Sequence, residues 1–349
     1  MKKIELGITT FGETTKLEKT NSSISHSQRI KNIIEEIELA DKVGLDVYGI
    51  GEHHRDDFAV SVPEILLAAG AVNTKNIRLT SAVSVLSSSD PIRLYQNFST
   101  IDAISDGRSE IMVGRGSFTE SFPLFGYDLK QYDQLFEEKL DMLLQINENE
   151  KLIWSGELTH SVLNKGVYPR SVQPQLPIWV ATGGNPTSVV NIAKRGLPIV
   201  FAAIGGDPLK FKVLVDIYKK AWKNFENNDS KMRIAAHSWG WIEDDKESAI
   251  NNYFWPTKKL VDSVAKTREH WSELTRESYE SEVSETGAIF VGDPQSAAQK
   301  IIRIVEGLDL DRFMLHIPVG SMPHEDTLRA IELFGTQVAP IVRSYFEDK

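Results

Sequence analysis

The chain has 349 residues, of which 41% are hydrophobic and 25% are charged, a composition typical of a globular protein. Its formal net charge of -10 argues against nucleic acid or an anionic membrane surface as a partner, because phosphate binding needs an excess of Lys and Arg. The absence of cysteine excludes disulfides, thiolate nucleophiles and Cys-ligated metal sites, and it is compatible with a cytoplasmic protein.

The first predicted element is an N-terminal strand, Ile4–Phe11, which is too short and too polar for a signal peptide. No run of about 18 apolar residues follows, so the sequence predicts no membrane span. Further near-continuous apolar runs are typical of parallel strands covered on both faces. They are Val47–Glu52, Arg78–Leu86, Glu110–Gly114, Ile178–Thr182, Ile199–Ile204, Ile234–Ile242 and Phe313–Pro318.

Amphipathic helices are predicted between these strands, for example by the apolar spacing that begins at Ile30 and ends at Ile37. Several helices are predicted to begin where Asp or Asn precedes a proline. Asp and Asn cap the first-turn amides, and proline at the first helical position loses no hydrogen bond. These pairs are Asp90-Pro91, Asn185-Pro186, Asp207-Pro208 and Asp293-Pro294. Eight strands alternating with helices predict one (β/α)8 TIM barrel domain over residues 1–349.

Two segments interrupt this alternation. Residues 151–176 are interpreted as an insertion before the fifth strand. Residues 243–285 are charged, contain Trp255 and Trp271, and follow the seventh strand. Long irregular loops in a compact domain are usually lids or binding loops, or are disordered. We therefore predict that residues 243–285 form a lid.

Barrel active sites lie where the strands end, and the second strand ends in Glu52-His53-His54. Imidazole titrates near neutral pH, so these histidines favour proton transfer or hydrogen bonding to a ligand. A shared metal ion is disfavoured, because neighbouring side chains on an extended segment point in opposite directions and no third ligand is suggested by spacing. The alternative is that one histidine packs behind the site.

The third predicted strand ends in the small residues Ala82, Val83 and Ser84, which leave room for a flat ligand. At the end of the fourth strand, Arg115 follows Gly114 and precedes another glycine. Glycine lets a backbone approach a ligand closely, and arginine offers a fixed fork of donors to a phosphate. The alternative interpretation of Arg115 is a surface side chain in a flexible turn.

The fifth strand ends in Thr182-Gly183-Gly184 and runs directly into a predicted helix that includes Thr187. Backbone N–H groups at a helix N-terminus, together with the helix dipole, form an anion site. The P-loop lysine is missing, which argues against a nucleoside triphosphate. Combined with Arg115, this loop predicts a phosphate site between the fourth and fifth strands, although the glycines alone would also serve to shape a turn.

The order of these motifs resembles the bacterial luciferase-like flavin-dependent monooxygenases over nearly the whole chain. The shared motifs are Glu-His-His after the second strand, Pro-Ile-Arg after the third, and Asp-Gly-Arg before and Gly-Arg-Gly after the fourth. The resemblance implies a barrel that binds FMN, with His53 near the reaction centre and a non-proline cis peptide at Ala82-Val83. The family's cysteine is replaced here by Gly114, and its strand-five carboxylate by the run that begins at Thr182.

The resemblance further implies reduced FMN delivered by a separate flavin reductase, O2 as co-substrate, a small organic substrate and a homodimer. His53, with His54 and Glu52, would be catalytic. Two alternatives remain: an F420-dependent hydride-transfer enzyme on the same barrel, and a non-catalytic flavin-binding subunit. Residues at or near strand ends would line the substrate side or pack in the core; they are Phe11, Phe118, Trp239 and His316.

Overall fold

The structure is a computed structural model that describes residues 3–116, 118–266 and 271–347. In chain order its strands are β1 Glu5–Thr10, β2 Val47–Ile50, β3 Arg78–Ser81, β4 Ser84–Val85, β5 Ser109–Gly114, β6 Lys151–Trp154, β7 Val162–Gly166, β8 Ile178–Thr182, β9 Ile199–Ala202, β10 Ile234–Ile242, β11 Ile289–Gly292 and β12 Arg312–His316. Its α-helices are α1 His26–Lys42, α2 Pro63–Asn73, α3 Pro91–Ile104, α4 Ser121–Phe125, α5 Tyr132–Glu148, α6 Pro186–Lys194, α7 Lys212–Asn224, α8 Lys246–Ala265, α9 Arg276–Val283, α10 Pro294–Leu308, α11 His324–Leu333 and α12 Ala339–Glu347.

Eight parallel strands close into a barrel in the order β1, β2, β3, β5, β8, β9, β10, β12, with β12 pairing back to β1. The predicted (β/α)8 barrel is therefore confirmed, and each predicted strand lies in it. The third predicted strand is divided into β3 and β4, with the cis peptide bond Ala82–Val83 between them. Outside the barrel, β11 pairs with the second half of β10.

Pairing register shows which side chains fill the barrel. Gly7 pairs with Val47 and with Met314, and Ala235 pairs with Val200, so these residues face the same interior. Val47, Met314, Val200 and Ala235 pack in one buried cluster with Met112 and Trp179. In parallel strands every second residue points inward. The next inward positions toward the carboxyl ends therefore include Thr9, His237 and His316.

The amino-terminal end of the barrel is closed by buried charges. Arg312 Nη1 lies 2.7 Å from Glu110 Oε2, and Arg312 Nε donates to Glu5 Oε2 at 2.8 Å. The Arg312 guanidinium also lies 4.4 Å from the centroid of the Trp179 ring. Arg312 and Glu110 are both buried, so these side chains close the amino-terminal end of the barrel to solvent.

The predicted Asp/Asn-Pro helix starts are confirmed. The capping side chain of Asp90 accepts from the Arg93 amide at the start of α3, and Asn185 accepts from the Thr187 and Ser188 amides at the start of α6. The other two caps behave in the same way: Asp207 begins the 3-10 turn before α7, and Asp293 begins α10.

The two interrupting segments have regular structure. Residues 151–176 contain the antiparallel hairpin of β6 and β7. The prediction that residues 243–285 are irregular is wrong, because most of them form α8 and α9; residues 267–270 of the predicted lid lie outside the described residues. Asp245 caps α8, and Tyr253, Leu260 and Val264 bury one face of it. No helix in the described residues is long and apolar enough to cross a membrane.

Candidate active site

A cleft of about 410 Å³ opens at the carboxyl-terminal end of the barrel, bounded by the segments that follow β1, β2, β3 and β5. Its lining brings together Glu52, His53 and His54, the three residues predicted to be catalytic. The other residues that line it are Phe11, Ala82, Val83, Val85, Gly116, Phe118, Glu120 and Ser121. Both histidines line the cleft; β2 ends at Ile50, so the alternating side-chain directions of a strand do not extend to them.

His53 is almost enclosed by aromatic rings. Its ring centroid lies 4.8 Å from that of Phe11, 4.3 Å from Phe58 and 4.7 Å from Phe118. Burial, with a smaller contribution from His316, lowers the pKa of His53 to about 3. The imidazole is therefore neutral at neutral pH, and neither of its nitrogens is hydrogen-bonded to another described residue. A neutral imidazole keeps one N–H donor and one acceptor for a ligand in the cleft.

Glu52 holds the third strand's end in place. Its Oε2 accepts from the Val85 amide at 2.8 Å, and its Oε1 lies 2.8 Å from His54 Nε2. The His54 ring in turn makes an edge contact with Phe125, with the two centroids 5.1 Å apart. Glu52 and His54 thus form a fixed pair that positions the backbone beside the cis peptide, whereas His53 has the free imidazole.

The glycine at the end of β5 permits close packing with this segment. A Cβ added to Gly114 would lie 2.8 Å from Val83 Cγ2, closer than real Cβ atoms approach a neighbour. Ser84, predicted to contact the ligand, is buried, and its Oγ has no hydrogen-bond partner among the described residues. An unpartnered buried hydroxyl next to a cleft fits a polar ligand group.

Arg115 does not present a free guanidinium to the cleft. Its Nη2 donates to Glu137 Oε1 at 2.7 Å, its Nε lies 2.9 Å from Asp133 Oδ1, and its cation lies 4.4 Å from the Phe136 ring centroid. The alternative prediction, a surface side chain in a flexible turn, does not fit these contacts either. Glu137 has a second cation, because Arg195 Nη1 lies 2.8 Å from Glu137 Oε2.

The loop after β8 is open. Gly183 and Thr187 are exposed, Gly184 has φ +116°, and a Cβ added to Gly183 would meet nothing within 4 Å. The Thr182 hydroxyl accepts from the Gly184 amide at 3.4 Å. Val113 on β5 pairs with Val180 on the adjacent strand β8. Arg115 comes two residues after Val113, and Thr182 comes two residues after Val180, so both lie at the same level of the barrel. The predicted phosphate residues are thus neighbours in the fold.

Several polar residues near the cleft were not predicted. Thr9, Glu13 and His237 join the predicted residue His316 in one hydrogen-bonded chain. His237 is the titratable residue within the largely apolar run of β10, which was the available signal in the sequence. Trp239, by contrast, is buried, with its ring centroid 6.2 Å from that of Trp271. In the described residues no group of three or more His, Asp or Glu side chains is arranged to hold a metal ion.

The family model described as luciferase-like monooxygenase matches residues 5–310. The chain is 24% identical over 316 residues to N-acetyl-S-alkylcysteine monooxygenase of Bacillus subtilis, covering 84% of this chain and 88% of that protein. It is 23% identical over 244 residues to the oxygenase component of flavin-dependent trigonelline monooxygenase of Acinetobacter baylyi, covering 67% and 65%.

Solved structures with the same fold include proteins that bind different cofactors. Monooxygenase RslO1 from Streptomyces bottropensis superposes with a TM-score of 0.83 at 20% identity, over 97% of this chain and 99% of that one. The oxygenating constituent of 3,6-diketocamphane monooxygenase from Pseudomonas putida, in complex with FMN, gives 0.75 at 18% identity over 97% and 98%. An F420-dependent secondary alcohol dehydrogenase in complex with an F420-acetone adduct gives 0.75 at 15% identity over 97% and 99%.

Proposed function

The chain belongs to the luciferase-like monooxygenase family, and on that premise we propose that it is the oxygenase component of a two-component enzyme that uses reduced FMN and O2 on a small organic substrate. The observation that carries the proposal is the neutral His53 imidazole, which has no hydrogen bond to another described residue and lies in an aromatic cleft at the barrel mouth. Such a group can donate to a developing oxygen anion where water is excluded.

The cleft residues Ala82 and Val83, together with predicted residues outside its lining, fit FMN as a ligand. The ring system would lie against Ala82, Val83, Ser84 and Gly114, where Ser84 Oγ lacks a partner. The phosphate would be held by Arg115, Thr182, Gly183, Gly184 and Thr187. FMN would supply the reaction with oxygen, and the protein would supply position, hydrogen bonds and exclusion of water.

For Arg115 to bind the phosphate, its side chain must leave Glu137 and Asp133. Glu137 would keep the cation of Arg195, and the Asp133 side chain is 79% exposed, so neither carboxylate would be left buried and unpaired. Breaking the pair with Asp133 therefore costs little, because an ion pair to an exposed carboxylate contributes only about 0–1 kcal/mol. Breaking the partly buried pair with Glu137 is offset by the Arg195 cation, which stays beside Glu137.

We expect Arg115→Ala to weaken FMN binding about ten- to a hundredfold and riboflavin binding much less, because only FMN carries the phosphate and a charge-assisted hydrogen bond contributes about 1.5–3 kcal/mol. The measurement is titration of both flavins, followed by absorbance and fluorescence. Lys194→Ala is the matched control, since it removes an exposed cation at the end of α6 and leaves both ion pairs of Glu137 in place. Equal weakening of FMN and riboflavin would contradict the phosphate assignment.

A second candidate is F420-dependent hydride transfer, favoured by the solved F420 enzymes with this fold. Titrating the purified protein with F420 beside FMN separates the two, as does O2 consumption with reduced FMN. Binding of F420 alone, with no oxygen consumption, would replace the FMN proposal. Binding of FMN without any turnover would favour the non-catalytic subunit. The separate flavin reductase is part of the FMN proposal, and the cytoplasmic location stays a prediction.

A homodimer is supported by apolar residues on the outer surface of adjacent helices. Ile65 and Val72 on α2 are 66% and 72% exposed, and Ile104 at the end of α3 is also exposed. Exposed apolar side chains on neighbouring helices are typical of an interaction surface. Light scattering should give a dimer for the parent and a monomer for Ile65→Glu, and a monomeric parent would end the proposal.

We propose that residues 243–285, which follow β10, cover the cleft. The end of α8 is already joined to the site, because Arg55 Nη2 donates to Ser263 Oγ at 2.9 Å. Without ligand, limited proteolysis should cut first within residues 243–285, and FMN should slow that cut. A first cut in the hairpin of β6 and β7, or a rate unaffected by FMN, would show that this segment is not the cover.

A further inference from the structure

Four side chains form a continuous hydrogen-bonded chain across the upper barrel. His237 Nε2 lies 2.8 Å from Thr9 Oγ1, and Thr9 Oγ1 lies 3.1 Å from His316 Nδ1. His316 Nε2 then lies 2.8 Å from Glu13 Oε1. The four residues come from β10, β1, β12 and the segment after β1, so the barrel register brings them together.

The two ends of this chain differ in access. Glu13, Thr9 and His316 are buried, and Glu13 Oε2 has no hydrogen-bond partner in the described part of the chain. His237 is only partly buried, and its Nδ1 makes no hydrogen bond to any described residue. Because the barrel floor is closed, its exposed part faces the mouth. Phe11 lies between His237 and the catalytic candidate His53, with ring centroids 6.3 Å and 4.8 Å away.

Placing one hydrogen in each bond leaves two arrangements. In the first, His237 donates to Thr9, Thr9 donates to His316, and His316 donates to an ionised Glu13, so His237 Nδ1 is a bare acceptor. In the second, every bond is reversed, Glu13 is protonated, and His237 Nδ1 carries a hydrogen. The two arrangements differ by one proton, and both histidines are neutral in each.

We propose that His237 is a second acid–base group of the site, which exchanges a proton with the bound reactants and stores it on Glu13 through Thr9 and His316. This rests on the proposed function of the cleft. An O–H or N–H group of the substrate gives its proton to His237 Nδ1. The Nε2 proton of His237 then passes to Thr9, the Thr9 proton to His316 Nδ1, and the Nε2 proton of His316 to Glu13. The substrate is left with the electron pair, and the reverse order returns the proton.

His237 is suited to pass a proton on rather than to keep it. Burial, with a smaller effect of His316, lowers the pKa of His237 to about 3. A cationic His237 is therefore disfavoured, and neutralising the buried carboxylate of Glu13 is the alternative that the hydrogen bonds provide.

Titratable and charged side chains from several elements face Glu13. They are His316 on β12, Arg29 on α1, Tyr48 on β2 and Tyr253 on α8. The Arg29 guanidinium is itself paired with the carboxylate of Glu36 on α1.

Histidine nitrogen NMR on the flavin-free protein tests the relay directly. The chain has eight histidines, and His237→Gln and His316→Gln identify the two signals. As the pH is lowered from neutral, we expect the Nδ1 and Nε2 shifts of both residues to exchange over the same pH range, with neither becoming imidazolium. Fixed tautomers, or separate titration of each ring to imidazolium, would overturn the relay. The outcome is independent of FMN and O2, so failure of the proposed function would not affect it.

Thr9→Val removes the central hydroxyl with little change of shape. In this variant the tautomer of His316 should still change with the protonation of Glu13. The tautomer of His237 should no longer change with it. Thr80→Val is the matched control, because Thr80 is also buried and its hydroxyl donates only to the Ser81 carbonyl at 2.9 Å.

In the flavin-loaded enzyme, Thr9→Val should lower kcat about 10²-fold, the lower range for acid–base catalysis, while FMN affinity is retained. If the parent shows the coupled tautomer change but Thr9→Val has the kcat of the parent, the catalytic role of His237 is contradicted. If Thr80→Val also abolishes the joint tautomer change of His237 and His316, that change depends on general packing rather than on the Thr9 hydroxyl.

Discussion

Arg312→Met is expected to lower the free energy of unfolding by about 3–5 kcal/mol, the usual cost of removing one partner of a buried ion pair. Arg312 is buried and faces the carboxylates of Glu110 and Glu5 at 2.7 Å and 2.8 Å. Without it, both carboxylates lose their main cation in the barrel floor. Arg78 Nη1, at 3.2 Å from Glu110, is partly solvated and compensates only in part.

Urea denaturation of the parent and the variants measures this effect. Arg329→Met is the matched control, because Arg329 pairs with Asp244 and Glu332 on the surface and such pairs contribute about 0–1 kcal/mol. Adding Glu110→Leu to Arg312→Met should recover much of the loss, since an apolar pair avoids the buried charge. An Arg312→Met loss no larger than that of Arg329→Met would contradict the buried-floor interpretation.

The barrel strands were predictable because parallel strands covered on both faces have near-continuous apolar sequences. The length of β10, nine residues, is a further signal: after Trp239, which still pairs with His316 of β12, residues 240–242 continue past the barrel pairing and pair with β11. The helical character of residues 243–285 was missed because charged residues dominate the composition. The periodic positions of Tyr253, Leu260 and Val264 carry the information that composition obscures.

The candidate site was predictable where its residues are adjacent in sequence. Glu52, His53 and His54 form such a motif, and the cleft does bring them together. The Thr9–His237 contact joins residues 228 positions apart, and only the closed barrel register places them side by side. Similarly, the ion pairs of Arg115 depend on how α5 packs beside β5, which no local pattern shows.

The division of roles between the two adjacent histidines follows from their partners. His54 is committed to Glu52, and Glu52 to the Val85 amide, so the pair has a positioning role. The His53 ring contacts aromatic rings, and its side chain makes no hydrogen bond within the described part of the chain; burial keeps it neutral by lowering its pKa to about 3. A neutral imidazole without such a partner is the group able to donate to oxygen in the cleft.

His53→Ala should therefore lower product formation by about 10²- to 10⁴-fold, the range typical of a positioned acid–base group. Without substrate, the reaction of bound reduced FMN with O2 should release hydrogen peroxide faster than in the parent. His53→Gln keeps an N–H donor but cannot carry a proton, so it should slow peroxide release relative to His53→Ala without restoring product. His54→Ala should change peroxide release less. Stopped-flow absorbance with peroxide quantification measures these rates, and a His53→Ala enzyme that couples oxygen to product as well as the parent would remove His53 from the reaction centre.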